Sequence, residues 1–104
     1  MSAGSAGDVF EALADPTRRQ VLTLIGERGS ASATELAREL PVSRQAIGKH
    51  LASLAEAGLV SSRREGRDVR FRVTPAPMSE ALDWMTRVGA QWDERLAALR
   101  DHFT

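Results

Sequence analysis

Two stretches of the 104-residue sequence concentrate side chains that hydrogen-bond to anions. The first cluster lies within eight residues and consists of Ser43, Arg44, Gln45, Lys49 and His50. The second cluster holds five arginines within ten residues: Arg63, Arg64, Arg67, Arg70 and Arg72. Guanidinium and ammonium groups bind phosphate oxygens, and amides and guanidiniums also pair with base edges. The chemistry that both clusters favour is recognition of a nucleic acid.

The charges of the chain are unevenly distributed. The formal net charge is zero, yet residues 42–74 hold seven basic and three acidic side chains, a balance of +4. Residues 1–41 have four basic and six acidic side chains, and residues 75–104 have three and five, so each flank carries −2. A basic segment between acidic flanks is typical of a chain that presents one surface to DNA or RNA.

Other site chemistries lack suitable residues. The chain has no cysteine and only two histidines, which excludes disulfides and thiolate metal sites. The sequence offers no catalytic nucleophile together with a general base, and no glycine-rich phosphate-binding loop. An enzyme is therefore the weakest interpretation. We expect no cofactor and no metal. No apolar run approaches the ~20 residues of a membrane span, and the start of the chain lacks signal-peptide features. We therefore expect a cytoplasmic protein without a membrane partner.

The first cluster needs a helix to position it, and the sequence predicts one within residues 42–59. Its apolar residues fall on one narrow stripe at helical spacing: Ile47, Leu51 and Leu54. Most of the cluster then lies on the opposite, exposed face. Ser43 is a suitable N-cap and Gly58 a suitable C′ residue. His50 lies beside the stripe, so a boundary histidine and a DNA contact are equally favoured.

Two helices are predicted upstream of this one, after a short first helix over residues 8–14. Asp15 and Pro16 suit the N-cap and N1 positions of a helix that runs to about Arg28. Its first turn carries Arg18 and Arg19, for which a solvated pair is favoured over phosphate contact.

A capping box at residues 32–35 opens the next short helix, which ends at Leu40. Pro41 then separates this helix from the next one. A short helix, a tight turn and a second helix with polar N-terminal residues form a helix-turn-helix.

From Leu59 the apolar period changes from 3.6 to 2, which predicts a β-hairpin. Residues 65–67 form its turn, and Val69, Phe71 and Val73 form its apolar face. The arginines of the second cluster occupy the tip and the outer face, where they suit contact with phosphates or the minor groove.

One long helix, over about residues 77–103, closes the chain with a heptad-like apolar seam. A domain of this size cannot easily cover such a seam, so we expect a second copy to meet part of it, rather than packing wholly within one chain. The candidate interface residues are Phe10, Leu13, Met85, Trp92, Leu96, Leu99 and Phe103. A small-molecule pocket lined by Trp84, Met85 and Trp92 is less favoured than apolar packing.

These stretches resemble the ArsR family of bacterial winged helix-turn-helix repressors. The resemblance is carried by FEALADPTRRQVLTLI at 10–25, ATELARELPVSRQAIGKHLASLAEAGLV at 33–60 and SRREGRDVRFRV at 62–73. It implies a homodimer paired through its N- and C-terminal helices. It also implies that residues 43–50 enter the major groove of a palindromic operator, often the protein's own, and that the hairpin arginines flank it.

The sequence departs from the metal-sensing members of that family. Those members use cysteines before the recognition helix, or histidine and carboxylate clusters on the last helix. Here the first segment is TELARELP, and the last helix offers one histidine, His102, near Asp93, Glu94 and Asp101. Such a set is a poor transition-metal site, so metal sensing is disfavoured. Gly48 stands where the family commonly has a small hydroxyl residue.

We therefore expect a disordered lead-in over residues 1–7 and one domain over residues 8–104. The predicted fold is mainly α with a β-hairpin wing, a winged helix-turn-helix that dimerises through its terminal helices. The predicted function is sequence-specific DNA-binding regulation, with double-stranded DNA and a second copy as partners. The predicted DNA contacts are Ser43, Arg44, Gln45, Lys49, His50, Arg63, Arg64, Arg67 and Arg70. The alternative is a winged-helix module that binds another protein.

Overall fold

The computed structural model describes residues 6–103, apart from the side chains at positions 6, 96, 102 and 103. In chain order the elements are α1 (Ala6–Ala12), α2 (Pro16–Arg28), β1 (Ala31–Ser32), α3 (Ala33–Glu39), α4 (Arg44–Glu56), β2 (Val60–Glu65), β3 (Asp68–Val73) and α5 (Ala76–Phe103). The chain is mainly helical with one β-hairpin, as the sequence predicts. Positions 1–5 of the predicted lead-in lie outside the described residues, whereas Ala6 and Gly7 belong to α1.

The predicted ends of α2 are confirmed. The Asp15 carboxylate accepts the backbone N–H of Thr17 at 2.7 Å and of Arg18 at 3.1 Å, which satisfies N–H groups that have no partner inside the helix. Pro16 follows at the first helical position. The helix ends at Gly29, whose φ of 81° lies in the left-handed region that glycine adopts without strain.

The two helices of the helix-turn-helix are bounded by the predicted caps. Ser32 and Glu35 form a reciprocal capping box at the start of α3. The Ser43 hydroxyl accepts the backbone N–H of Ala46 at 3.1 Å and caps α4. After α4 the chain turns at Gly58, with a φ of 78°, in the C′ position where glycine is favoured.

The core lies where α1, α2, α3, α4 and the start of the hairpin meet. Its largest fully buried side chains are Val9, Val21, Ile25, Leu36, Ile47, Leu51, Leu54 and Leu59. The predicted apolar stripe of α4 is therefore confirmed, because all three of its residues are buried. With one side fixed in the core, α4 presents its opposite side outward.

The hairpin belongs to a three-stranded antiparallel sheet with the order β1-β3-β2. The sequence pattern gives no sign of β1, in which Ala31 pairs with Phe71 and Ser32 with Arg70. Two residues are too few to show a strand period, and β1 exists only because β3 docks against it. The hairpin turn is confirmed: β2 and β3 are joined by Gly66 and Arg67, and Gly66 has a φ of 63°, as the first position of a type II′ turn requires.

Only the first part of α5 packs against the core formed by the other elements. Ala81 is buried and Met78 packs against the core, and the Phe10 ring of α1 contacts Trp84 with ring centroids 5.6 Å apart. Large apolar side chains that follow are exposed, among them Leu82, Met85, Trp92 and Leu99. The helix begins at Ala76, close to the predicted start. Among the described residues, no helix is both long enough and apolar enough to cross a bilayer.

Candidate DNA-binding surface

The outward side of α4 carries most of the first cluster. Arg44, Gln45 and Lys49 are exposed, and no carboxylate lies in the first turn of the helix. The positive end of the helix dipole also lies there. An exposed amide and two cations at a helix N-terminus suit donation to phosphates and to base edges in a major groove. Ser43 lies at the same end, with its oxygen already accepting a hydrogen bond from the helix.

Arg44 is held in place by the helix before it. Its Nε donates a hydrogen bond to the Thr34 hydroxyl at 3.1 Å. Because this contact uses only Nε, the two terminal nitrogens stay available, and they are the pair that binds guanine or phosphate in a bidentate way. The bond also joins the first turn of α3 to the first turn of α4.

His50 is half-buried on α4. The pKa of the Asp15 carboxyl lies below its ordinary value, chiefly because it accepts the Arg18 N–H, and the N–H of Thr17 and the charge of His50 contribute further. His50 is therefore close enough to Asp15 for their charges to interact. This placement favours the boundary role over a direct DNA contact.

The wing, which we define as β2, β3 and their turn, carries three exposed arginines near its tip: Arg63, Arg64 and Arg67. The strand register places them on different sides. Arg63 lies opposite Arg70, whereas Arg64 lies opposite Val69, and Arg67 lies in the turn. Val69 is exposed, and only Phe71 and Val73 of the predicted apolar face pack against the core. The wing tip thus projects from the body with cationic side chains on both faces.

The two other wing arginines are engaged by the protein itself. Arg72 forms an exposed ion pair with Glu65 at 3.5 Å. Arg70 turns inward: its Nε donates to the Ser30 hydroxyl at 3.0 Å, one terminal nitrogen donates to the Ser30 carbonyl at 3.2 Å, and the other contacts Glu35 at 2.9 Å. Arg70 was predicted to contact DNA, but a guanidinium so occupied is a bridge between the wing and α3.

Arg18 and Arg19 contact the end of α1, a role that the sequence did not suggest. Arg18 donates to the carbonyls of Glu11 and Ala12, at 3.5 and 3.4 Å, and Arg19 donates to the carbonyl of Leu13 at 2.5 Å. These carbonyls lie at the end of α1, where the last carbonyls of a helix lack an N–H from a following turn; the Glu11 carbonyl also accepts the backbone N–H of Ala14 at 3.2 Å. Both arginines therefore fasten α1 to α2. A sequence pattern gives no sign of this, because the contact depends on how the two helices meet.

The residues predicted for the dimer interface lie in three different environments. Met85, Trp92 and Leu99 are exposed on α5, and Phe10 is exposed on α1 beside Trp84. Leu13 is half-buried against the core of its own chain. Leu96 and Phe103 have side chains outside the described part of the structure.

Comparison with known proteins connects this geometry to a family. A helix-turn-helix domain family matches residues 13–63. Transcriptional repressor SdpR of Bacillus subtilis (strain 168) is 31% identical over 78 residues, which cover 75% of this chain and 86% of the repressor. The structure of an ArsR-like transcriptional regulator from Rhodococcus sp. RHA1 superimposes with a TM-score of 0.80 and 47% identity, covering 92% of this chain and 90% of the other. The chain belongs to the ArsR family of winged helix-turn-helix transcriptional regulators. Members of this family are DNA-binding regulators and not enzymes.

One further relative agrees with the membership. A probable mercury resistance operon repressor of Streptomyces lividans is 35% identical, covering 83% of this chain and 79% of the repressor. The α3-turn-α4 unit is thus the helix-turn-helix of an ArsR-family regulator, and α4 is its recognition helix.

The described part of this chain offers no clustered set of metal ligands. The chain has no cysteine, and within the described residues no group of three or more His, Asp or Glu side chains is arranged to hold a metal ion. The side chain of His102 lies outside the described part of the structure. The acidic residues of α3 have other partners: Glu35 binds Ser32 and Arg70, and Glu39 forms an ion pair with Arg28.

Proposed function

We propose that this protein is a homodimeric transcriptional repressor that binds an inverted-repeat operator and does not require a metal ion as its signal. The observation that carries the proposal is that one chain has two different uncovered surfaces. One is the cationic surface of α4 and the wing tip, and the other is the apolar surface of α5.

The DNA contacts follow from exposure and charge. Arg44, Gln45 and Lys49 project from the recognition helix, and the arginines of the wing tip lie free of ion pairs in the described structure. We assign base reading to Gln45 and Arg44, and phosphate binding to Lys49 and the wing-tip arginines Arg63, Arg64 and Arg67. Ser43 can still donate its hydroxyl hydrogen to a phosphate, whereas His50 and Arg70 are left out of the contact set.

The homodimer is supported by the exposed apolar side chains of α5. Trp92 is 55% exposed and Leu99 is 54% exposed, although aromatic residues and leucines at heptad-like spacing usually pack against another helix. Phe10 and Trp84 extend this surface onto α1. A second copy carries the same apolar surface, and two-fold pairing would cover both at once.

Repression without a metal signal rests on the relatives and on composition. SdpR is named a repressor, and a dimer bound across a promoter blocks access to it. Because the chain lacks cysteine, thiolate ligation of a metal ion is impossible. We further propose that the protein's own promoter is one of its operators, as the family resemblance implies.

Selection of DNA from a random duplex pool tests this function. We expect the selected duplexes to share an inverted repeat with half-sites about 10 bp apart, since two recognition helices related by two-fold symmetry enter successive major grooves on one face of DNA. A protection assay on the upstream DNA then tests autoregulation. Enrichment of no sequence, together with affinity that does not fall with salt, would instead support the protein-binding alternative.

A further inference from the structure

The first turn of α3 contacts both elements that we assign to DNA. Thr34 accepts the Arg44 Nε of the recognition helix at 3.1 Å. The next residue, Glu35, contacts the Arg70 guanidinium of the wing at 2.9 Å. One helical turn therefore joins the recognition helix to the wing, although these elements belong to different parts of the sequence.

The contact between Glu35 and Arg70 is built more tightly than an ordinary surface ion pair. The same Glu35 oxygen accepts the backbone N–H of Ser32 at 2.9 Å, and Arg70 is fixed from its other side by two hydrogen bonds to Ser30. Only 22% of the Arg70 side chain and 33% of the Glu35 side chain is exposed. Three directed bonds on one guanidinium leave the arginine little freedom to turn toward DNA.

Two further facts fit this arrangement. Arg63 lies directly opposite Arg70 in the hairpin, a like-charge pair that a nearby carboxylate relieves. Arg28 reaches Glu35 at 3.8 Å and also pairs with Glu39, so the end of α2 joins the same group. The base of the wing is thus fastened to α2, β1 and α3, while its tip projects freely.

We propose that Glu35 is a positioning residue for DNA binding: by holding Arg70, it fixes the wing against α3 and so sets the distance between the wing and the recognition helix. This inference rests on the proposed DNA-binding function. It assigns Arg70 to the assembly of the surface and leaves the phosphate contacts to the wing tip.

The two roles of Arg70 predict opposite effects of neutralising Glu35. If Arg70 bound phosphate, Glu35→Gln would release it and remove a negative charge near DNA, so the affinity would rise. If Glu35 positions the wing, the same change weakens operator binding. Glutamine can keep the capping-box bond to Ser32, so Glu35→Gln removes the ion pairs with Arg70 and Arg28 without removing the cap.

The experiment measures operator affinity by fluorescence anisotropy at several salt concentrations for wild type, Glu35→Gln, Arg70→Gln and the double variant. Glu27→Gln, which neutralises an exposed carboxylate on α2, is the matched control. We expect each single variant at positions 35 and 70 to lose roughly three- to tenfold in affinity with an unchanged salt slope. The double variant should bind like Arg70→Gln alone, because Glu35 acts through Arg70.

A second measurement reads the wing position directly. Because the chain has no cysteine, Asp68→Cys on the wing accepts a single iron-EDTA group that cleaves DNA nearby. With Glu35 present, we expect the labelled protein to cut the DNA within a narrow range of nucleotides. With Glu35→Gln added, we expect the cuts to spread over more nucleotides. A loss of folding stability alone would lower the thermal midpoint without spreading the cut.

The outcomes separate the two proposals. If wild type binds the operator with salt dependence but Glu35→Gln binds it equally or more tightly, the positioning role is wrong and DNA binding stands. The positioning role also fails if Arg70→Gln lowers the salt slope by about 0.9, the value for one lost phosphate contact. If wild type itself shows no salt-dependent DNA binding, both proposals fall.

Discussion

The recognition helix α4 and the last helix α5 have the same kind of apolar spacing but different surroundings. In α4 the apolar stripe is covered, since Ile47, Leu51 and Leu54 are all buried, and the polar face is open. In α5 the apolar stripe is covered only at its start, where Ala81 is buried, and Trp92 and Leu99 remain exposed. Amphipathic spacing predicts that a helix will be half-covered, but it does not say by which partner.

The difference assigns one task to each helix. A helix fixed along its whole apolar side holds its polar side chains in a constant arrangement, as base reading requires. A helix with an uncovered apolar side is completed by another molecule. Substitutions at matched positions of the two helices should therefore act on different properties of the protein.

The largest effect is expected at a matched pair of leucines. Leu54→Ala should lower the free energy of unfolding by about 2–5 kcal/mol at any protein concentration, because Leu54 is fully buried in the core. Leu99→Ala removes the same atoms from an exposed site and should cost far less at high dilution. Urea unfolding at several protein concentrations checks both. Equal losses for the two variants at high dilution would mean that the two helices are covered alike within one chain.

The next effect concerns association. Trp92→Ala should weaken the dimer by roughly 30-fold, since a large aromatic side chain at the centre of an interface is often a hot spot, and should leave the helical content of the monomer unchanged. Sedimentation equilibrium measures the change, with Gln91→Ala as the neighbouring control. A wild-type chain that sediments as a monomer at micromolar concentration contradicts the proposed pairing.

A smaller change is expected in sequence discrimination. Gln45→Ala should reduce the preference for operator over random DNA by about tenfold, because a lost base contact affects only the correct sequence. Arg67→Ala should instead weaken binding to both DNAs alike and reduce the salt slope by about 0.9. Parallel titrations at two salt concentrations distinguish the two. Identical profiles for both variants would remove the assigned roles.

The recognition helix can also be strengthened. Gly48 lies on the exposed face of α4, where an added Cβ meets no other atom within 4 Å. Gly48→Ala should therefore stabilise the fold by about 0.5–1 kcal/mol. Gly29→Ala is the control with the opposite sign, because its φ of 81° disfavours any other residue. Thermal unfolding of both variants tests the pair, and a destabilised Gly48→Ala would show that the position has a demand beyond helix propensity.

The smallest effect is a pH dependence at the start of α2. The backbone N–H of Arg18 lowers the pKa of Asp15 below its ordinary value, so the folded state binds a proton at this carboxyl less readily than the unfolded state. The resulting stability is present near neutral pH and is lost as the pH falls from about 5 to about 3. Asp15→Asn should be slightly less stable than wild type at pH 7, and the difference should shrink on acidification. A difference that grows toward low pH would reverse the assigned sign.

Local interactions made much of the fold predictable. The caps at Asp15, Ser32 and Ser43 and the turns at Gly29 and Gly58 depend on bonds within a few residues, so residue type and spacing were sufficient. The buried stripe of α4 followed from its period. The hairpin and its turn followed from the change of period after Leu59.

Contacts between distant elements were not predictable in the same way. The two-residue strand β1 has no period of its own and forms by pairing with β3. Arg70 was placed with the other wing arginines because all five share one residue type, but it lies beside Ser30 and Glu35 only after folding. The contacts of Arg18 and Arg19 with the end of α1 likewise form only when the two helices meet in the folded chain. Exposed charge was therefore predictable, whereas the partner of each charge was not.

One titration tests the central claim most directly: wild-type protein against the selected operator and against a shuffled duplex of equal length, at two salt concentrations. The proposed paired recognition helices predict tight binding of one dimer to the operator, weak binding to the shuffled duplex, and an affinity that falls steeply as salt rises. Equal affinity for both duplexes without salt dependence would contradict DNA recognition by α4 and the wing.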